Sequence, residues 1–118
     1  MHELSIATAV LNTALRHAED RPVEVVAMRV GTLRQVVPDS LLFYWEIVAR
    51  DTVCEGARLE LTEIEARLHC DDCGREWEPL IPAFRCPDCA SAHVTVAAGE
   101  ELEIDYLELA TPKEPVHA

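Results

Sequence analysis

The chain has 118 residues, 49% of them hydrophobic and only 5% aromatic, with a formal net charge of -12. This length favours one domain, or one domain with a small module, and the composition excludes global disorder. The charge works against a phosphate backbone or an anionic membrane, and the 10 Lys and Arg form no basic patch to reverse it.

No apolar run reaches the roughly 18 to 20 residues of a membrane span. His2 and Glu3 stand where a secretory signal would carry basic residues, so a cytoplasmic protein with reduced cysteines is expected. An odd cysteine count of 5 also argues against a disulfide framework.

In chain order, Leu4, Ala7, Leu11, Ala14, Leu15 and Ala18 recur at helical spacing. They predict an amphipathic helix over 4–19, stopped by Arg21-Pro22. "VEVVAMRVG" (Val23–Gly31) is rich in β-branched residues and predicts a strand covered on at least one face. Pro38-Asp39-Ser40 supplies a turn and a capping side chain for a second helix, with Leu41, Leu42, Trp45 and Val48 as its apolar stripe. "ARLELTEIEARL" (Ala57–Leu68) alternates and then shifts phase, which predicts a bulged strand or one that leaves its sheet. Residues 69–92 hold four cysteines, three prolines and one glycine, with little periodicity. "HVTVAAG" and "EELEIDYLEL" return to strand patterns, and "ATPKEPVHA" reads as a polar tail.

The expected fold is α+β: a small sheet with two helices, plus an inserted zinc-ribbon-like module. Residues 1–66 with 99–110 form the main domain, 67–98 the insert, and 111–118 a disordered tail.

The insert carries Cys70-x2-Cys73-x12-Cys86-x2-Cys89. Two cysteines separated by two residues wrap one tetrahedral ion from a single tight turn, and two such turns complete the four-thiolate shell of structural zinc. Gly74 and Pro87 suit these turns, and Trp77, Leu80, Ile81 and Phe84 are expected as a minimal core over the metal. Metal binding would supply most of the folding energy of so short a segment. Iron fits the same shell, and two redox-active CxxC pairs are the competing reading. A closed shell has no open position, so the site is structural rather than catalytic. Cys54 reads as a small, partly buried residue.

No nucleophile elbow, phosphate loop, catalytic carboxylate pair or zinc-protease helix is present, so an enzyme is not expected. His17 and His117 read as solvated. His69 and His93 flank the cysteines and read either as donors to sulfur or as solvated groups. The acidic run "GEELEID" reads as a solvated strand face.

The terminus "MHE" has its own chemistry. The Met1 amine, the His2 amide nitrogen and the His2 imidazole close adjacent small chelate rings on one ion, and Glu3 adds its amide nitrogen or its carboxylate. Nitrogen-rich planar sets suit nickel(II) or copper(II). The set depends on a free Met1, which the bulk of His2 protects from enzymatic removal. Taken alone, the stretch leaves two readings open, a metal site and a solvated terminus.

"MHELSIA", "VVPDSLLFYW", the paired CxxC motifs and "GEELEI", in this order, resemble the HypA/HybF family of hydrogenase nickel-insertion metallochaperones over roughly residues 1–110. The resemblance implies a nickel-binding α/β domain with an inserted zinc domain. It implies nickel at Met1, His2 and Glu3, and zinc at Cys70, Cys73, Cys86 and Cys89. The implied partners are the GTPase HypB and the hydrogenase large subunit, with urease maturation for some members. Ala90 departs from the glycine expected after the last cysteine. The rival reading is a zinc-ribbon nucleic-acid or protein-binding module without nickel, and a small redox protein is a third.

Overall fold

The computed structural model describes residues 2–80 and 84–110. The expected disordered tail lies outside the described residues. Helix α1 (His2–Ala18) is followed by strand β1 (Val23–Gly31), a single 3-10 turn (Thr32–Arg34) and helix α2 (Pro38–Val48). Strands β2 (Arg58–Ile64), β3 (Arg67–Cys70), β4 (Glu76–Trp77), β5 (Val94–Ala98) and β6 (Leu102–Leu109) follow among the described residues. One three-stranded sheet has the order β2-β1-β6 and a second has the order β4-β3-β5. The α+β class and both helices match the sequence expectation.

The chain divides into two compact units, whose described residues are 2–28, 37–61 and 104–110 in the first, and 29–36 and 62–103 in the second. The core of the first unit includes Ala7, Val10, Leu11, Ala14 and Ala18 of α1, Val23, Val25, Val26, Ala27 and Met28 of β1, Leu41 and Trp45 of α2, and Ala49 just past its end. β1 buries consecutive residues, Val25 to Met28, because it is a central strand covered on both faces. The Trp45 indole N–H donates to the Ala57 carbonyl at 3.0 Å, so this large buried ring leaves no polar atom unpaired.

Three sequence expectations need correction here. The buried stripe of α1 is rotated by about one residue: Glu3 and Val10 lie inside, while Leu4 is 45% exposed and Leu15 only half-buried. Glu3 can sit inside because its carboxylate finds a donor there, described below. In α2 the stripe is Leu41 and Trp45, continued by the C-cap Ala49, whereas Leu42 is exposed and Val48 half-buried. The N-cap of α2 is Val37, which offers no side-chain cap, and Pro38 takes the first helical turn instead of Asp39 or Ser40 capping it. The fixed backbone angle of proline starts the helix at that point.

In the second unit, the segment after β1 is stitched to the chain before β6. Gly31 N–H donates to Glu101 O at 2.7 Å, Leu33 N–H to Gly99 O at 2.8 Å, and Arg34 Nε to Glu100 O at 2.7 Å. After β2 the chain passes through Glu65-Ala66 and enters the second sheet as β3, which is the departure that the phase shift anticipated. β3 pairs antiparallel with β4 and with β5, and its register with β5 slips between Arg67 and Leu68.

Candidate metal centres

β3 delivers Cys70 to its last position, and the next residues fold back immediately. Cys70 N–H donates to Arg75 O at 2.8 Å, and Gly74 N–H donates to Cys70 O at 2.9 Å. The second cysteine pair repeats these bonds at equivalent places: Cys86 N–H to Ser91 O at 3.0 Å and Ala90 N–H to Cys86 O at 2.9 Å. Gly74 has φ +80 and Ala90 φ +59, so the two loops are copies of one turn that needs a left-handed residue after its second cysteine. The departure at Ala90 therefore leaves the turn intact and carries strain instead. Ala90→Gly is expected to stabilise the second loop by about 0.5–1 kcal/mol. Native-state hydrogen exchange at the Cys86 and Ala90 amides measures this; faster exchange in the variant would contradict it.

The two loops face one another. All four Sγ atoms lie within 4.8 Å of each other. Cys70 and Cys89 approach to 3.6 Å, and Cys73 and Cys86 to 3.5 Å. A tetrahedral ion with metal–sulfur bonds of about 2.3 Å needs sulfur separations of about 3.8 Å, so the cradle fits zinc in size and in donor type. All five cysteines are free thiols. Cys54 is fully buried, and desolvation pushes its thiol up, away from the metal-binding thiolate form.

The loops are also tied by side chains, which sequence reading did not anticipate. Arg75 Nη1 lies 2.7 Å from Asp88 Oδ1, and this pairing raises the guanidinium above its ordinary value. Ser91 Oγ donates to Asp72 Oδ2, and His93 Nδ1 lies 3.1 Å from the same oxygen. Ser91 first and His93 second hold the Asp72 carboxyl below its ordinary value, against desolvation. The stability this contributes is present above the unfolded carboxylate value and is lost as pH falls through the lower folded one. These ties cross between the two halves of the motif, and nothing in the cysteine spacing encodes them.

Both flanking imidazoles face carboxylates rather than sulfur: His93 faces Asp72, and His69 Nδ1 lies 3.5 Å from Glu76 Oε2. His17 is exposed, as expected, and His117 lies outside the described residues. The expected small core over the metal is not formed by Leu80, which is 98% exposed, nor by Phe84, which is 46% exposed. Trp77 is only half-buried, and Ile81 lies outside the described residues. The buried groups are Leu68, Cys70 and Cys86 instead. A two-residue β4 leaves the linker too little sheet to fold those side chains over the sulfurs.

At the other candidate centre, Met1 lies outside the described residues and α1 begins at His2. Glu3 is 6% exposed. Its Oε2 accepts the Val37 N–H at 3.3 Å. That amide, ahead of desolvation which opposes it, holds the Glu3 carboxyl below its ordinary value. His2 and Glu3 lie in the first turn of α1.

A paired-loop thiolate cradle in one unit and a helix-borne terminus bearing His2 and Glu3 in the other define a small metal-handling protein. The family model "Hydrogenase/urease nickel incorporation, metallochaperone, hypA" matches residues 1–109. A hydrogenase maturation factor HypA from Streptomyces avermitilis is 40% identical over 109 residues, covering 88% of this chain and 83% of that protein. One from Geobacter metallireducens is 39% identical over 110 residues, covering 92% and 99%. The solution structure of the nickel metallochaperone HypA from Helicobacter pylori superposes with a TM-score of 0.69 at 22% identity, covering 93% of this chain and 98% of that one. The chain belongs to the HypA family of nickel metallochaperones in hydrogenase maturation.

Proposed function

We propose that the chain carries nickel(II) as cargo on Met1, His2 and Glu3, and that Cys70, Cys73, Cys86 and Cys89 hold one structural zinc. The family match over residues 1–109, which spans both motifs, carries this reading. The sulfur geometry supports the zinc assignment. The first turn of α1 supports the nickel assignment, because it sets His2 and Glu3 side by side at the start of the helix.

Cargo at a chain terminus leaves by unbinding from one short segment, with no unfolding of the domain. Zinc, sealed by four thiolates, offers no open position for chemistry, and the protein acts as a carrier, not an enzyme. Among the described residues no helix is long and apolar enough to cross a membrane. The reading places the protein in the cytoplasm, where it meets the GTPase HypB and the hydrogenase large subunit; urease maturation proteins are a second destination. The β4-β3-β5 sheet supports treating residues 67–98 as the zinc-binding insert within a nickel-binding domain of 1–66 and 99–110.

The test is nickel titration of untagged protein starting at Met1. His2→Ala is expected to weaken nickel binding at least about a hundredfold, or about 2.7 kcal/mol, with zinc content unchanged. A residue added before Met1 should do similar harm, because it removes the free amine. Unaltered nickel affinity in His2→Ala would sink the assignment.

A further inference from the structure

We propose that the outward face of α2, with the groove beside it, docks a basic amphipathic helix of a partner protein, which lays apolar side chains on Leu42 and Phe43 and sets two cationic side chains, seven residues apart, against Asp39 and Glu46. The surface lies wholly within the first unit, and the proposal uses neither metal centre.

Three observations carry it. First, α2 has more apolar residues than the core uses: Leu41 and Trp45 face inward, while Leu42, Phe43 and Ile47 stay exposed. Phe43 is 59% exposed, and its ring meets that of Tyr44 edge-on with centroids 5.4 Å apart, which restricts it before any partner arrives. Second, a groove of about 980 Å³ runs between α2 and residues 55–60. Leu42 and Phe43 line it, as do the buried Trp45 and Leu59. Third, Asp39 and Glu46 line the same groove, and neither carboxylate has a hydrogen-bond or ion-pair partner among the described residues. Of the two guanidinium groups along the groove, Arg58 is engaged by Glu60 at 3.3 Å and Arg50 is unpaired, so negative charge is left unmatched there.

The spacing selects a helix as the occupant. Asp39, Leu42, Phe43 and Glu46 stand three and four residues apart, on one side of α2. The two carboxylates are therefore two turns apart, about 10.5 Å along the axis. A helix lying alongside has the same rise, so cations seven residues apart reach both carboxylates, and its apolar side chains fall between them onto Leu42 and Phe43. A second copy of this chain is the poorer occupant. It brings its own Asp39 and Glu46 to the same place, with a net charge of -12 behind them.

The experiment uses the full chain, loaded with zinc and free of nickel, and a labelled synthetic helical peptide. The peptide carries two arginines seven residues apart, with leucines three and four residues after the first. Fluorescence anisotropy is expected to show saturable binding with a Kd below about 1 mM. Phe43→Ser should weaken it at least about tenfold. Asp39→Asn combined with Glu46→Gln should weaken it about tenfold and remove most of its salt dependence. A peptide with glutamates in place of the arginines should bind at least about tenfold more weakly. The three substituted side chains are exposed, so zinc content and helical circular dichroism should match the parent. Where Phe43→Ser loses that helical signal, the carboxylate variant and the glutamate peptide still decide. Parental affinity in Phe43→Ser, equal binding of the two peptides, or no saturation up to about 1 mM would overturn the proposal. So would sedimentation showing self-association of the chain that Phe43→Ser abolishes, since the face would then belong to a second copy.

Discussion

Cys70→Ser is expected to release zinc and melt the second sheet while leaving α1 and α2 folded. Cys70 is fully buried at the end of β3, its backbone closes the first loop through Arg75 and Gly74, and its sulfur faces that of Cys89. Zinc held by four thiolates contributes on the order of 10–16 kcal/mol to a small fold. Little else does so here: among the described residues of the second unit, the buried hydrophobic groups are Val30, Ala66, Leu68 and two cysteines. Metal analysis should find less than one zinc per chain, and hydrogen exchange should show lost protection in β3 and β5 with protection kept in the helices. Protected β3 amides in the metal-free variant would contradict this.

The same site sets a pH dependence. Burial pushes the Cys86 thiol up, but the backbone N–H groups of Cys89 and Asp88 outweigh it and bring the thiol down to about 7. Cys89 moves the other way, to about 12: the Ser91 amide favours its thiolate, but the crowded sulfurs of Cys70, Cys86 and Cys73, with desolvation, oppose it more strongly. Four thiolates cannot share this space without a cation. Zinc binding therefore expels protons, and zinc affinity falls as pH falls. For Cys86 the sign is that of a lowered acid: its contribution is present above the ordinary thiol value and disappears as pH drops through about 7.

Gly31→Ala is the second large expected effect, about 3 kcal/mol or more of destabilisation. The reason is proximity, since Gly31 has φ -75, an angle any residue adopts. A Cβ there would collide with the carbonyl carbon and oxygen of Gly99, which are backbone and cannot rotate away. Gly99 in turn has φ +112 and would place its own Cβ 2.6 Å from the Ala66 Cα, so the three backbones are stacked without slack. A melting temperature lower by roughly 12 °C is expected. Gly56→Ala is the control: its φ of +77 is strained but nothing lies within 4 Å, so it should cost only about 1 kcal/mol. Equal effects of the two substitutions would overturn the close-approach argument.

Periodicity located α1, β1 and α2, and cysteine spacing located the thiolate cradle, because each is a local pattern with a short repeat. Periodicity could not fix the phase of α1 to one residue, since Leu4 and Val10 are both apolar and nothing local marks the Val37 amide as a partner for the buried Glu3 carboxylate. That partner is 34 positions away in the chain. The Asp72–Ser91 and Arg75–Asp88 ties were hidden for the same reason, as each joins the two cysteine pairs across the linker. β4 escaped notice because two residues carry no period. Trp77, Leu80 and Phe84 misled because apolar character alone does not bury a side chain that has no sheet beneath it.

The order β2-β1-β6 also has a price in time. β1 is the central strand, yet one of its neighbours is β6, the last strand among the described residues, and Pro22 O waits for the Ala110 N–H at 2.8 Å. A ribosome adding about 5–20 residues per second needs roughly ten seconds to travel from the end of β1 to β6. Throughout that interval Val25, Val26, Met28 and Val30 lie along a strand with an unpaired edge. Nascent and C-terminally truncated chains therefore present an apolar strand with an unpaired edge, and β6 acts as the protection that arrives late.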